Sequence, residues 1–112
     1  MKRILAVLTL TLVVGCSTVQ PVSKNVYTGD TFDSSMTNRL AKLGVKAVVS
    51  CKVWDDSFDA EYKLANAMGA TFLLETPTTR LTAAYVDVNG CPRPVYIYGD
   101  KALVGFLSNQ LK

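Results

Sequence analysis

The stretch Val88-Asn89-Gly90-Cys91-Pro92-Arg93-Pro94-Val95-Tyr96-Ile97-Tyr98-Gly99-Asp100-Lys101 decides how the chain is laid out. Asn89-Gly90 is a strong turn dipeptide, and Pro92 and Pro94 each fix a backbone angle. The run Val95 to Tyr98 has the β-branched and aromatic content of a strand, which Gly99-Asp100 stops. Both prolines sit just before that strand. An X-Pro amide is the one backbone link at which the cis isomer costs little, so one of these bonds is a candidate for it. Gly99-Asp100 then predicts a hairpin into a further strand, Lys101 to Leu107.

Upstream, Val45 to Cys51 carries so little polar surface that it reads as a strand covered on both faces. Before it, Met36, Leu40 and Leu43 recur at helical spacing over Asp33 to Leu43, with Asp33 or Ser34 to cap the start and Gly44 to end it. After it, Trp54-Asp55-Asp56-Ser57 interrupts the strand and a helix runs from about Ser57 to Met68. Its inward stripe is expected at Ala60, Leu64, Ala67 and Met68, with Gly69 closing it. Ala70 to Leu74 is a second strand, and Arg80 to Val86 a short helix with Leu81, Ala84 and Tyr85 on one side. Ser108 to Lys112 leaves room for one helical turn. The sum is an α/β domain, a four-stranded mixed sheet flanked by helices, with parallel neighbours joined by right-handed crossovers.

The first residues belong to another pattern. Met1-Lys2-Arg3 is basic, Ile4 to Val14 is nearly unbroken apolar sequence, and Gly15-Cys16 follows. The run is too short for a membrane span, which needs ~20 apolar residues. Val13-Val14-Gly15-Cys16 resembles a bacterial lipobox, in which a peptidase cuts before the Cys and the Cys takes up lipid, palmitate among the acyl chains. The resemblance implies a signal peptide over 1–15, a lipidated tether over 16–31 and a domain over 32–112, held to a membrane by the lipid on Cys16. Ser17 in place of Asp resembles the pattern passed on to the outer membrane, so the expected location is the periplasmic face of that membrane rather than the inner one.

Composition narrows the function further. The whole chain has 12 basic and 9 acidic residues, and cutting before Cys16 removes Lys2 and Arg3. So even a balance gives no argument for nucleic acid. There is no His, which removes Ser-His and Cys-His nucleophile pairs and the usual zinc ligands. Asp55, Asp56, Asp59 and Glu61 lack the spacing of a calcium loop and read as a solvated helix start, so no metal and no cofactor is expected. Tyr85, Tyr96 and Tyr98 offer an aromatic surface, although alternation along a strand buries some of them.

The element order together with Val48-Val49-Ser50-Cys51-Lys52-Val53-Trp54 and Gly90-Cys91-Pro92 resembles the thioredoxin-like fold from about Val45 to Leu107. The likeness implies that Pro92 is the cis-proline and that Tyr96 to Phe106 is the closing hairpin. Where that family carries two reactive cysteines, this chain has Asp55 and Phe58, with Asp56 and Ser57 between. A carboxylate cannot attack a disulfide sulfur, and Asp55, Asp56 and Ser57 suit helix capping. Cys51 and Cys91 remain. In an oxidising compartment they are candidates for a structural disulfide, which on a loop of this length contributes about 4 kcal/mol; separate buried thiols are the alternative. The expected function is a non-catalytic binding domain on a lipoprotein, with an envelope protein as partner. The other readings are a thiol-disulfide protein using Cys51 and Cys91, and a phage- or plasmid-type exclusion lipoprotein that blocks a receptor.

Overall fold

The structure is a computed structural model that describes residues 19–53, 55–75 and 81–112, with 81–83 as backbone alone. In chain order the elements are β1 (Gln20–Ser23), β2 (Val26–Gly29), α1 (Thr37–Lys42), β3 (Ala47–Cys51), α2 (Phe58–Ala67), β4 (Thr71–Leu74), α3 (Leu81–Asn89), β5 (Val95–Gly99) and α4 (Lys101–Leu111). Among the described residues the strands form one five-stranded mixed sheet in the order β1-β2-β5-β3-β4. Only β1 is antiparallel to its neighbour; β2, β5, β3 and β4 all run the same way.

Central position and apolar content go together. Ala47 to Cys51 is buried at every residue, as the two-sided strand reading predicts, and Val95 to Tyr98 likewise. Alternation sorts these strands onto two cores. Ala47, Val49, Cys51, Val95 and Ile97 face α3 and α4, meeting Ala84, Val88, Leu103, Leu107 and Leu111. Val48, Tyr96 and Tyr98 face α1 and α2, meeting Met36, Leu40 and Ala65. The Tyr96 and Tyr98 rings stack with centroids 5.7 Å apart, and Phe32 tilts against both. They are core, not an aromatic surface.

The largest departure from the sequence expectation is at 101–107. The strand and closing hairpin expected there are absent; the chain continues as α4. Leu103, Val104, Leu107, Ser108 and Leu111 are its buried side, a helical repeat, and Asp100 caps it by accepting from the Leu103 N–H at 3.0 Å. β5 itself is parallel to β3, because α3 carries the chain back across the sheet before β5 begins.

The second correction concerns the tether. Residues 20–29 pair as the β1–β2 hairpin, and β2 runs in register beside β5 from Val26↔Val95 to Gly29↔Tyr98. Val19 already packs on the core and Val26 is fully buried, so the folded body begins by residue 19 and not at 32. These short strands carry weak local signals; β5 supplies the pairing that holds them.

Smaller shifts follow from packing. The inward side of α2 is Glu61 and Ala65, flanked by Leu64 and Met68, while Ala60 and Ala67 face solvent. The stripe is rotated from the expected one because Glu61 turns inward to its donors Lys52 and Tyr98. Helix α1 buries Met36 and Leu40 but leaves Leu43 36% exposed. Gly44 and Gly69 end their helices at φ +79° as expected.

Candidate functional site

In a parallel sheet, ligands are taken where the helices after two neighbouring strands leave to opposite faces. Here that place lies between the carboxyl ends of β3 and β5: β3 leads into α2 on one face and β5 into α4 on the other. Gly99 makes the close approach there. It pairs with Cys51, and the Asp100 N–H donates to the Cys51 carbonyl at 3.3 Å.

The groups around this point form a network. Lys52 leaves the end of β3, and its Nζ donates to Glu61 Oε2 at 2.6 Å and lies 3.3 Å from Asp55 Oδ1. It also donates to Ser57 Oγ. The Ser57 hydroxyl is 2.6 Å from Asp55 Oδ1 and 2.9 Å from Glu61 Oε2, and donates to one of them at a time. The Tyr98 hydroxyl donates to Glu61 Oε1. Glu61, expected on a solvated helix start, is only 6% exposed. Its burial is tolerated because three donors converge on it, from the β3 exit, the start of α2 and β5.

Capping at α2 differs from the expectation in detail. Ser57 occupies the N-cap position but its side chain makes no cap bond. Instead Asp55 Oδ1 accepts from the Ser57 N–H at 2.9 Å, a local turn that leads the chain into the helix. Those bonds to Ser57 hold the Asp55 carboxyl below its usual range. For Lys52, desolvation works against the charge, but the hydrogen bond and charge of Glu61, then those of Asp55, outweigh it and leave its pKa raised. Burial, then Glu61, pushes the Tyr98 phenol well above its usual value.

Beside this network runs a groove of about 580 Å³. Phe32, Ala60 and Leu64 give it apolar walls, and Ser57 and Glu61 bring polar groups to it. An apolar groove with a few convergent polar groups is the usual form of a binding site. A second cleft of about 410 Å³ opens between β2 and α4, lined by Gln20, Gly29, Asp30, Gly99 and Lys101.

The remaining sequence candidates fall elsewhere. Cys51 is buried at the carboxyl end of β3; burial first, then the Glu75 and Asp100 carboxylates, push its thiol up to about 12. Cys91 lies half-buried before the amino end of β5. Burial raises its pKa too, against the opposing pull of Arg93. The expected disulfide is not formed; both are free thiols. The reason is strand direction: with β5 parallel to β3, Cys51 sits level with Gly99 while Cys91 precedes Val95. A strand of that length spans roughly 13 Å, well beyond the reach of a disulfide. Pro92 is exposed and is not the cis-proline; the cis bond is Arg93–Pro94. Cys16 and Trp54 lie outside the described residues, and no group of three or more potential metal ligands occurs among those described. Asp56 is exposed beside the network.

Sequence inspection also passed over Glu75, which follows β4 and is 4% exposed. Burial first, then a hydrogen bond and the charge of Asp87 on α3, push its carboxyl up to about 7. Because its proton is held more tightly in the folded chain, Glu75 contributes stability in full below about pH 4.5, and the contribution is lost as pH rises through about 7. Urea unfolding should therefore show wild type losing stability from pH 5 to pH 8. Glu75→Gln should flatten that slope and be the more stable chain at pH 8, by about 2 kcal/mol after discounting for solvent screening. An unchanged slope would contradict this assignment.

No protein-family model, curated protein sequence or solved structure matches the chain.

Proposed function

We propose that the chain is an outer-membrane lipoprotein, held through lipid on Cys16 and facing the periplasm, whose α/β domain binds an envelope protein without catalysing a reaction. The observation that carries this reading is the locked state of the site. A Ser-Lys pair attacks only when the amine is neutral and takes the hydroxyl proton, and Lys52 beside Ser57 is held charged by Glu61 and Asp55. The Cys51 thiol, pushed up to about 12, is equally far from a working nucleophile. What is left is an apolar groove with fixed polar groups, suited to recognition.

The finer proposal for the fold is that it is thioredoxin-like. Its support is the strand-helix-strand run from Val45 to Leu74 and a proline turn ahead of β5. The parallel β5 puts that turn at the opposite end of the sheet from Asp55, which favours binding over a redox use of the same framework. The leader, Met1 to Gly15, supports the lipid by its order of basic, apolar and small residues before Cys16.

One experiment covers both halves. Cells expressing the full chain with radiolabelled palmitate should yield labelled protein in the outer-membrane fraction, and Cys16→Ser should carry no label. The purified wild-type protein should react slowly with an aromatic disulfide reagent at pH 8 and at once after unfolding. Rapid reaction of the native thiols, or reduction of a test disulfide, would sink the non-catalytic reading; label on the Ser variant would sink the anchor.

A further inference from the structure

The parallel sheet sorts the loops of this chain by charge. At the carboxyl ends stand Asp30, Asp33, Asp55, Asp56 and Asp100, with Lys52 and Lys101 among them. At the amino ends the loops are 24–25, 43–46, 68–70 and 90–94; they hold Lys24, Lys46 and Arg93 with no Asp or Glu, and Lys42, the last residue of α1, stands beside them. Lys24, Lys42 and Lys46 are exposed and Arg93 is half-buried. None of the four makes an ion pair among the described residues.

These loops are tied to one another through the backbone. The Val95 N–H donates to the Asn25 carbonyl at 3.0 Å, the Lys46 N–H to the Pro94 carbonyl at 2.8 Å, and the Thr71 N–H to the Lys46 carbonyl at 3.0 Å. Arg93 is steadied by Asn89, whose carbonyl accepts from its Nη2 at 3.3 Å and whose side-chain oxygen accepts at 3.2 Å. The positive charges therefore sit on a single braced face rather than on independent loops.

The strand order also says which way that face points. Gln20 pairs with Thr28, so the chain enters the sheet at the carboxyl-end pole, and only residues 17 and 18 separate Cys16 from Val19. Three steps of chain reach at most about 11 Å. A lipid on Cys16 would hold the acidic pole close to the membrane and turn the basic face away from it. The body of the sheet between the poles exceeds the Debye length of ~8 Å at physiological salt, beyond which surface charges are screened.

We infer that this amino-end face, built on Lys24, Lys42, Lys46 and Arg93, is the docking surface for an acidic protein in the aqueous compartment. The choice of a protein over the chain's own membrane rests on the anchoring proposed above; the charge segregation does not. A second copy is disfavoured because chains anchored side by side present like faces in the same direction.

The test uses the full chain in detergent micelles, with fluorescent poly-L-glutamate as the acidic polypeptide and phosphatidylglycerol vesicles as the lipid arm. Anisotropy at about 0.02 M salt should show binding to poly-L-glutamate that fades by about 0.3 M, as screening requires. Lys24→Glu/Lys46→Glu should weaken it about tenfold, while Lys63→Glu/Lys101→Glu, with the same change in net charge, stays within about twofold. Should the first pair lower the melting point, Lys24→Ala/Lys42→Ala takes its place. Equal losses for the two pairs, no binding, or preference for the vesicles would each overturn the proposal. Palmitate labelling reports on the anchor independently, so the two failures are separable.

Discussion

Gly99→Ala is expected to destabilise the domain by at least about 3 kcal/mol, enough to leave much of a small domain unfolded. Two effects add. Gly99 has φ +117°, a conformation that L residues rarely adopt. A Cβ built there would also stand 2.6 Å from the Lys52 nitrogen and 2.8 Å from the Cys51 carbonyl carbon. Both are backbone atoms of the central strand and its exit, so no rotamer can relieve the clash. Gly105 is the internal control. A Cβ there meets nothing within 4 Å, and the residue sits inside α4. Gly105→Ala should stabilise by about 0.5–1 kcal/mol through helix propensity. Urea unfolding of the two variants should thus show opposite signs for one chemical change six residues apart. A mild effect at Gly99 would mean that β5 and β3 are not paired as described.

Glu61→Ala should cost about 2–4 kcal/mol, far more than a helix-surface glutamate. The loss is a matter of orphaned partners: the Tyr98 hydroxyl loses Glu61 Oε1, to which it donates, and Lys52 keeps only Asp55 and Ser57. Tyr98→Phe removes one donor and leaves Lys52 and Ser57 on the carboxylate, so its cost should be nearer about 1 kcal/mol. The pair should couple in a double-mutant cycle by about 1–2 kcal/mol, because removing Glu61 strands the Tyr98 hydroxyl and removing that hydroxyl takes the donor from Glu61 Oε1. Additivity within about 0.3 kcal/mol would show that the network does not hold α2 to β5.

The difference between what could and could not be foreseen lies in which residues carry their own instructions. Val45 to Cys51 was legible as a strand covered on both faces because so little in it suits a solvated face, and Val95 to Tyr98 as a strand through its β-branched and aromatic content. Gly44 and Gly69 marked helix ends by their freedom at positive φ. The segment from Lys101 onward departs from expectation because Gly99-Asp100, a hairpin turn signal, instead opens a helix whose Leu103, Val104, Leu107 and Leu111 recur at helical spacing. Glu61 was misplaced because a carboxylate's burial depends on donors from elsewhere, here Lys52 on the β3 exit and Tyr98 on β5. No window around Glu61 contains that information.

Cys51 and Cys91 show the same division. Composition alone established two thiols in the folded body once Cys16 is set aside, and no imidazole to activate either. Whether they meet depended on the direction of β5, which follows from α3 returning across the sheet before it. By itself the sequence determined the class of the fold, the two central strands and the apolar run before Cys16, since local apolar pattern and turn chemistry are properties of neighbours along the chain. Only the tertiary structure decided that the chain after β5 is a helix, that residues 20–29 join the sheet, that Glu61 is inside and that acidic and basic loops part to opposite poles. Those outcomes rest on pairings between residues distant in sequence, where long-range packing and hydrogen bonding outweigh local preference.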